Sequence, residues 1–156
     1  MSLADKIASD LTAAMKSKDE GRELLVSVLR MMKSSIKNTE IAHRGSGKEL
    51  TDADLLSVLS GMVKQRTDSA EQYRAAGRID LAEKEEAEIG IIRGYLPPQL
   101  SEQELDGIIR ETIRETGITG MKEIGNLMKT LMPKVKGKAD GGLVNRRAKE
   151  ILEQGL

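Results

Sequence analysis

The chain has no cysteine, no phenylalanine and no tryptophan, and among its 156 residues it carries one histidine, two tyrosines and three prolines. The lack of cysteine removes disulfides, thiolate metal sites and a thiol nucleophile in one step, and it fits a reducing compartment. A lone histidine, His43, leaves no paired-imidazole metal motif. No cofactor, no metal ion and no catalytic residue is expected. The N-terminal stretch Met1 to Ile7 carries charge every few residues and has no unbroken apolar run. It therefore reads as neither signal peptide nor membrane span, and the expectation is a soluble cytoplasmic protein with no membrane partner. With so few rings, the core must be built from Leu, Ile, Val, Met and Ala, a set that suits packed helices.

What is present is helical periodicity. Leu3, Ile7, Leu11, Ala14 and Met15 form one apolar stripe; Leu25, Val28, Leu29, Met32 and Ile36 form a second, running to about Ala42. Thr51 opens a third helix with acids in its first turn, where they favour the helix dipole. Its second half, Lys64 to Ala76, is mostly polar and is expected to project past the core or lean on a neighbour. A fourth helix follows Gly77, with Asp80, Glu83, Glu85, Glu86 and Glu88 along its first half. Pro97-Pro98 cannot continue it, because neither proline has an amide proton. Beyond that break Ser101 and Glu104 make a capping box, and Gly117 suits a left-handed C-terminal cap. Met121, Ile124, Leu127, Met128 and Leu131 predict a sixth helix stopped by Pro133. Leu143, Val144, Ala148, Ile151 and Leu152 predict a seventh. No segment alternates with period two, so the fold is expected to be all-α: a four-helix N-terminal domain over residues 1–96 and a three-helix C-terminal domain over 97–156.

Several apparent motifs dissolve on inspection. Gly45-Ser46-Gly47-Lys48 has Ala42 and Glu49 where a phosphate loop needs Gly and Ser or Thr, and no strand precedes it. The acids of the fourth helix surround Lys84 and lack the histidines of a di-metal bundle, so a solvated face is the simpler account. His43 sits in a glycine-flanked loop and is expected to be exposed. Met32, Met121 and Met128 lie on apolar stripes and read as core, while Met31 and Met62 stay open between core and an adaptable surface.

One segment resists a bland account. Between Lys129 and Lys149 there are seven basic residues and one acid, Asp140, in a chain whose totals are 25 basic and 25 acidic. Lys134, Lys136, Gly137 and Lys138 precede a helix whose cap is Asp140, and Arg146, Arg147 and Lys149 lie within it. Cations beside free helix-start amides suit an anion, most naturally phosphate. Arg146 and Lys149 oppose the apolar face, whereas Arg147 borders it. A lysine run of this kind is also what a plain solvated surface looks like. With no Phe or Trp to stack on unpaired bases, a nucleic acid would be gripped by backbone and shape, which favours structured RNA.

Three stretches carry a family resemblance: Asn38-Thr39-Glu40-Ile41; Ala76 to Glu85 continuing to Tyr95-Leu96-Pro97-Pro98-Gln99-Leu100-Ser101-Glu102; and Lys136-Gly137-Lys138-Ala139-Asp140-Gly141. Together they resemble the YqeY family, also called GatB/YqeY-domain proteins. The resemblance implies a helical N-terminal domain and a tail similar to that of the B subunit of glutamine-dependent Asp-tRNA/Glu-tRNA amidotransferase, where the tail contacts tRNA. It also links the chain to carbon-nitrogen ligase activity with glutamine as amido-N-donor, but only through the tail. The catalytic body of that enzyme does not fit in this chain, so enzyme activity of its own is not expected. The expected function is a non-catalytic tRNA-binding or amidotransferase-associated module. Its expected partners are tRNA or other structured RNA, together with amidotransferase subunits or other proteins. The alternative is a helical protein-protein interaction module without nucleic-acid binding.

Overall fold

The computed structural model describes residues 1–155. Among them are seven α-helices and no strand: α1 (Leu3–Lys16), α2 (Arg22–Ala42), α3 (Asp52–Ala75), α4 (Ile79–Arg93), α5 (Glu102–Thr116), α6 (Ile124–Val135) and α7 (Gly141–Gln154), with a 3-10 turn at Met121–Glu123 before α6. The chain divides into two compact units, Met1–Pro97 and Pro98–Leu156.

In the first unit, α1 and α3 each begin with a reciprocal capping box, Ser2 with Asp5 and Thr51 with Asp54. Each box supplies acceptors for amides that the first turn leaves without helical partners. The core gathers Ile7, Leu11, Val28, Leu29, Met32, Ile36, Leu55, Leu59, Met62 and Ile92 from all four helices. Each Leu or Ile fully buried there contributes about 1.5–3 kcal/mol of transfer free energy. Met62 is therefore core, and Met31 packs half-buried against it.

The polar half of α3 does not project into solvent. It packs along α4, burying Ala70 and Ala82. Arg74 clasps Glu86 through Nε, which donates to Oε1 at 2.9 Å, and Nη2, which donates to Oε2 at 2.8 Å. Arg66 Nε donates to Glu88 Oε2 at 2.9 Å, Nη1 donates to the Met62 carbonyl at 3.2 Å, and Nη2 lies 3.4 Å from Met31 Sδ. Glu88 is 8% exposed, so the expectation of a wholly solvated acidic face on α4 is corrected. One acid of that face turns inward because Arg66 is there to satisfy it. Both tyrosines belong to this unit. Tyr95 donates to Asp10, and its ring lies 5.3 Å from Lys6 Nζ. Burial, then the bond to Asp10, holds the Tyr95 phenol protonated well beyond the usual tyrosine range. His43 is exposed, and its Nδ1 lies 2.9 Å from the Thr39 carbonyl.

In the second unit, α5 starts on the Ser101–Glu104 capping box and ends on Gly117 at φ 70°. Leu105, Ile109, Ile113, Leu127, Leu131, Val135, Val144, Ala148 and Ile151 form its core. Met128 packs against it, whereas Met121, expected inside, is 37% exposed because its turn is 3-10 and precedes the stripe proper. Pro133 does not stop the sixth helix, which runs on to Val135. Pro133 is exposed, so the carbonyl one turn earlier that loses its helical donor is on the solvent side, and the added residues carry Val135 into the core.

Among the described residues no helix is long and apolar enough to cross a membrane, and no cluster of three or more His, Asp or Glu could hold a metal ion.

Candidate nucleic-acid interface

The basic segment is built around the connection from α6 to α7. Lys136 is the C-terminal cap of α6, Gly137 takes a left-handed φ of 78°, and Asp140 caps α7 by accepting from the Leu143 N–H at 3.1 Å. The cap forms as the sequence implies. Two N–H groups, those of Lys138 and Ala139, share the Val135 carbonyl at 2.9 and 3.1 Å. The connection is thus a wound turn rather than a loose loop, and it buries Gly137 while leaving Lys136 and Lys138 exposed.

The seven expected site residues separate into distinct environments. Lys134 lies in the last turn of α6, not in the loop, and its ammonium donates to Glu115 at 2.9 Å and to the Thr112 hydroxyl at 3.1 Å. Thr112 is fully buried, and its hydroxyl donates to the Ile108 carbonyl at 2.8 Å. The charge of Lys134 is therefore committed within the unit. Arg147 is more deeply engaged: only 17% of its side chain is exposed, and it binds Asp106 through two donors, Glu102 at 3.5 Å, and Glu150. Its hydrogen bonds to Asp106 hold that carboxyl below the usual aspartate range, and they strengthen the hold of the guanidinium on its proton. Arg147 is an internal tie between α5 and α7.

Lys138, Arg146 and Lys149 differ. All three are exposed, and no carboxylate among the described residues lies within ion-pair distance of them. Gly142, Arg146, Lys149 and Glu153 form the exposed stripe of α7, at the spacing that stacks side chains along one helix face. Arg146 and Lys149 are thus adjacent on a face that begins at the turn bearing Lys138. Upstream, exposed Lys129 sits seven residues before Lys136 on α6. Chemically this is an exposed cationic surface, and such charge attracts anions such as phosphate.

Two residues that the sequence reading named only as part of the family stretch hold this turn. Gln99 Nε2 donates to the Gly137 carbonyl at 2.9 Å, and the Leu100 N–H donates to the Lys138 carbonyl at 2.8 Å. Leu100 is visible in the sequence as half of a hydrophobic staple with Leu105. Its backbone bond, and the role of Gln99, join positions far apart in sequence, and no local pattern marks them.

Among curated proteins, the chain is 29% identical to "Altered inheritance of mitochondria protein 41, mitochondrial" of Pyrenophora tritici-repentis, over 94% of this chain and 79% of that protein. It is 38% identical to the protein of the same name from Lachancea thermotolerans, over 73% of this chain and 61% of that protein. To the Saccharomyces cerevisiae protein it is 35% identical, over 69% of this chain and 56% of that protein. The last two relatives are thus matched along less than two thirds of their own length. All three are named as mitochondrial, and this overturns the cytoplasmic location expected from the sequence. Cysteine content reports redox environment, and the charge pattern of residues 1–7 argues only against one kind of export signal; neither distinguishes the cytoplasm from an organelle interior. The family model described as "Yqey-like protein" matches residues 4–152, so the chain belongs to the Yqey-like protein family.

Proposed function

We propose that the chain is a non-catalytic tRNA-binding or tRNA-amidotransferase-associated accessory module, whose three-helix part over residues 97–156 is the RNA-binding tail. Lys136, Lys138, Arg146 and Lys149 make the phosphate contacts. The observation that supports this most directly is the exposure of Lys138, Arg146 and Lys149 without carboxylate partners among the described residues, around one turn and along one helix face. Elsewhere in the same unit the cations Lys134 and Arg147 are paired internally, which sets them apart from Lys138, Arg146 and Lys149. The likeness of this segment to the amidotransferase tail selects tRNA among polyanions.

A surface gripping phosphates releases counterions, so affinity for tRNA should fall with salt at a log-log slope of about 0.7 to 0.9 per contact. Titration of the full chain with tRNA between about 50 and 200 mM salt measures this directly. Duplex DNA of equal charge as competitor separates recognition of RNA shape from general cation attraction. Retention of full tRNA affinity by a Lys138→Glu, Arg146→Glu double variant, or affinity indifferent to salt, would reject the assignment.

A further inference from the structure

We infer that Gln99 is a positioning residue for the phosphate-binding turn, fixing the backbone from which Lys138 projects. The inference rests on the RNA-binding reading above and adds to it a residue that touches no phosphate.

The argument is an accounting of two peptide units. The peptide joining Gly137 to Lys138 has its carbonyl bonded by Gln99 Nε2 at 2.9 Å and its N–H bonded to the Val135 carbonyl at 2.9 Å. The peptide joining Lys138 to Ala139 has its carbonyl bonded by the Leu100 N–H at 2.8 Å and its N–H bonded to the same Val135 carbonyl at 3.1 Å. Both peptides flanking Lys138 are thus tied on both sides. Of the four bonds, three are backbone to backbone, and only the one from Gln99 comes from a side chain.

Gln99 itself leaves a well-anchored segment. Leu100 packs on the core of this unit, and the next residue, Ser101, is held by its capping box with Glu104 at 2.8 Å. The donor therefore reaches the turn from a fixed base. Its effect is twofold. A turn held in one conformation has less freedom to lose when it meets a ligand. A bonded Gly137 carbonyl also presents less uncompensated negative charge beside Lys136 and Lys138, where a phosphate would otherwise meet it. Both effects strengthen anion binding without adding a cation.

That separation gives a specific signature. Gln99→Met keeps length and apolar volume, removes the donor, and leaves every charge in place. In tRNA titrations across salt, it should weaken binding about three- to tenfold at each salt concentration. The log-log line should move parallel to itself. Lys138→Met, by contrast, should reduce the slope by about 0.7 to 0.9. Hydrogen exchange of the Lys138 amide, measured in the free Gln99→Met chain, should be faster than in the original chain.

Binding by Gln99→Met equal to that of the original chain would overturn the inference. A slope reduced as in Lys138→Met would also overturn it, since Gln99 would then behave as a contact. If the original chain shows no salt-dependent tRNA binding, the RNA reading fails separately. The exchange measurement then still decides whether Gln99 holds the turn: faster exchange supports it, and unchanged exchange removes it.

Discussion

Arg147 closes on Asp106 through two parallel hydrogen bonds, Nε to Oδ1 at 2.9 Å and Nη2 to Oδ2 at 2.7 Å. The fork of the guanidinium matches the carboxylate, the geometry in which such pairs are strongest and most directional. Because the bond favours ionised Asp106, the carboxyl titrates lower in the folded protein than in the unfolded chain. Its stabilisation is complete above the ordinary aspartate range, about pH 4, and is lost as pH falls through the lowered native value. The second unit should therefore weaken in acid below about pH 4. Asp106→Asn should be less stable at neutral pH and show a shallower further loss in acid. Urea midpoints by circular dichroism across this range provide the measurement, and equal steepness for the two chains would contradict the assignment.

A second expectation concerns Arg66 and Glu88, whose side chains are 12% and 10% exposed. Replacing Arg66 by Met strands a carboxylate between α3 and α4 and should cost about 1–3 kcal/mol. Replacing both, Arg66→Met with Glu88→Leu, removes the stranded charge and should recover part of that loss. Denaturation of the two single variants and the double variant measures the coupling. A double variant as unstable as the sum of its parts would show that the two side chains act independently.

Gly137 offers a test of backbone strain. At φ 78° an L-residue pays for contact between its Cβ and the following carbonyl. Gly137→Ala should cost about 1–2 kcal/mol, and Gly137→Asn less, since asparagine tolerates this region. Both would be read as shifts in thermal midpoint, and an alanine variant as stable as the original chain would exclude a left-handed residue here.

Lys134 and Lys149 are both exposed lysines of the basic segment, but only Lys134 has a carboxylate partner among the described residues. Lys149→Met should lower the salt slope of tRNA binding by about 0.7 to 0.9 while leaving stability within about 0.5 kcal/mol. Lys134→Met should do the reverse: a largely unchanged slope with a measurable loss of stability, because it removes the contacts with Glu115 and Thr112. Interchanged results would relocate the phosphate contacts to the end of α6.

Features resolved within four residues of one another were legible in the sequence. Ser101 with Glu104, Thr51 as a cap, Gly117 at positive φ and Asp140 at the start of α7 all depend on local geometry. The Ser2–Asp5 box had the same signature and could have been found. What the sequence hid was which cations find acids. Lys134 meets Glu115 across 19 positions, Arg66 meets Glu88 across 22, and Arg147 meets Asp106 across 41. A charge count along the chain treats all of them as free, and only the packing of helices decides otherwise. Pro133 misled for a related reason. A proline on the solvent side near a helix end sacrifices one weak bond, and burial of Val135 outweighs it.

The placement of both tyrosines, Tyr73 and Tyr95, within Met1–Pro97 makes the chain optically lopsided. Near-ultraviolet absorbance and intrinsic emission arise from the first unit alone, and far-ultraviolet ellipticity arises from helices throughout. Melting curves recorded at the two wavelengths would coincide if the halves unfold together and would separate if they do not. Cooperativity between them could thus be measured without attaching any label.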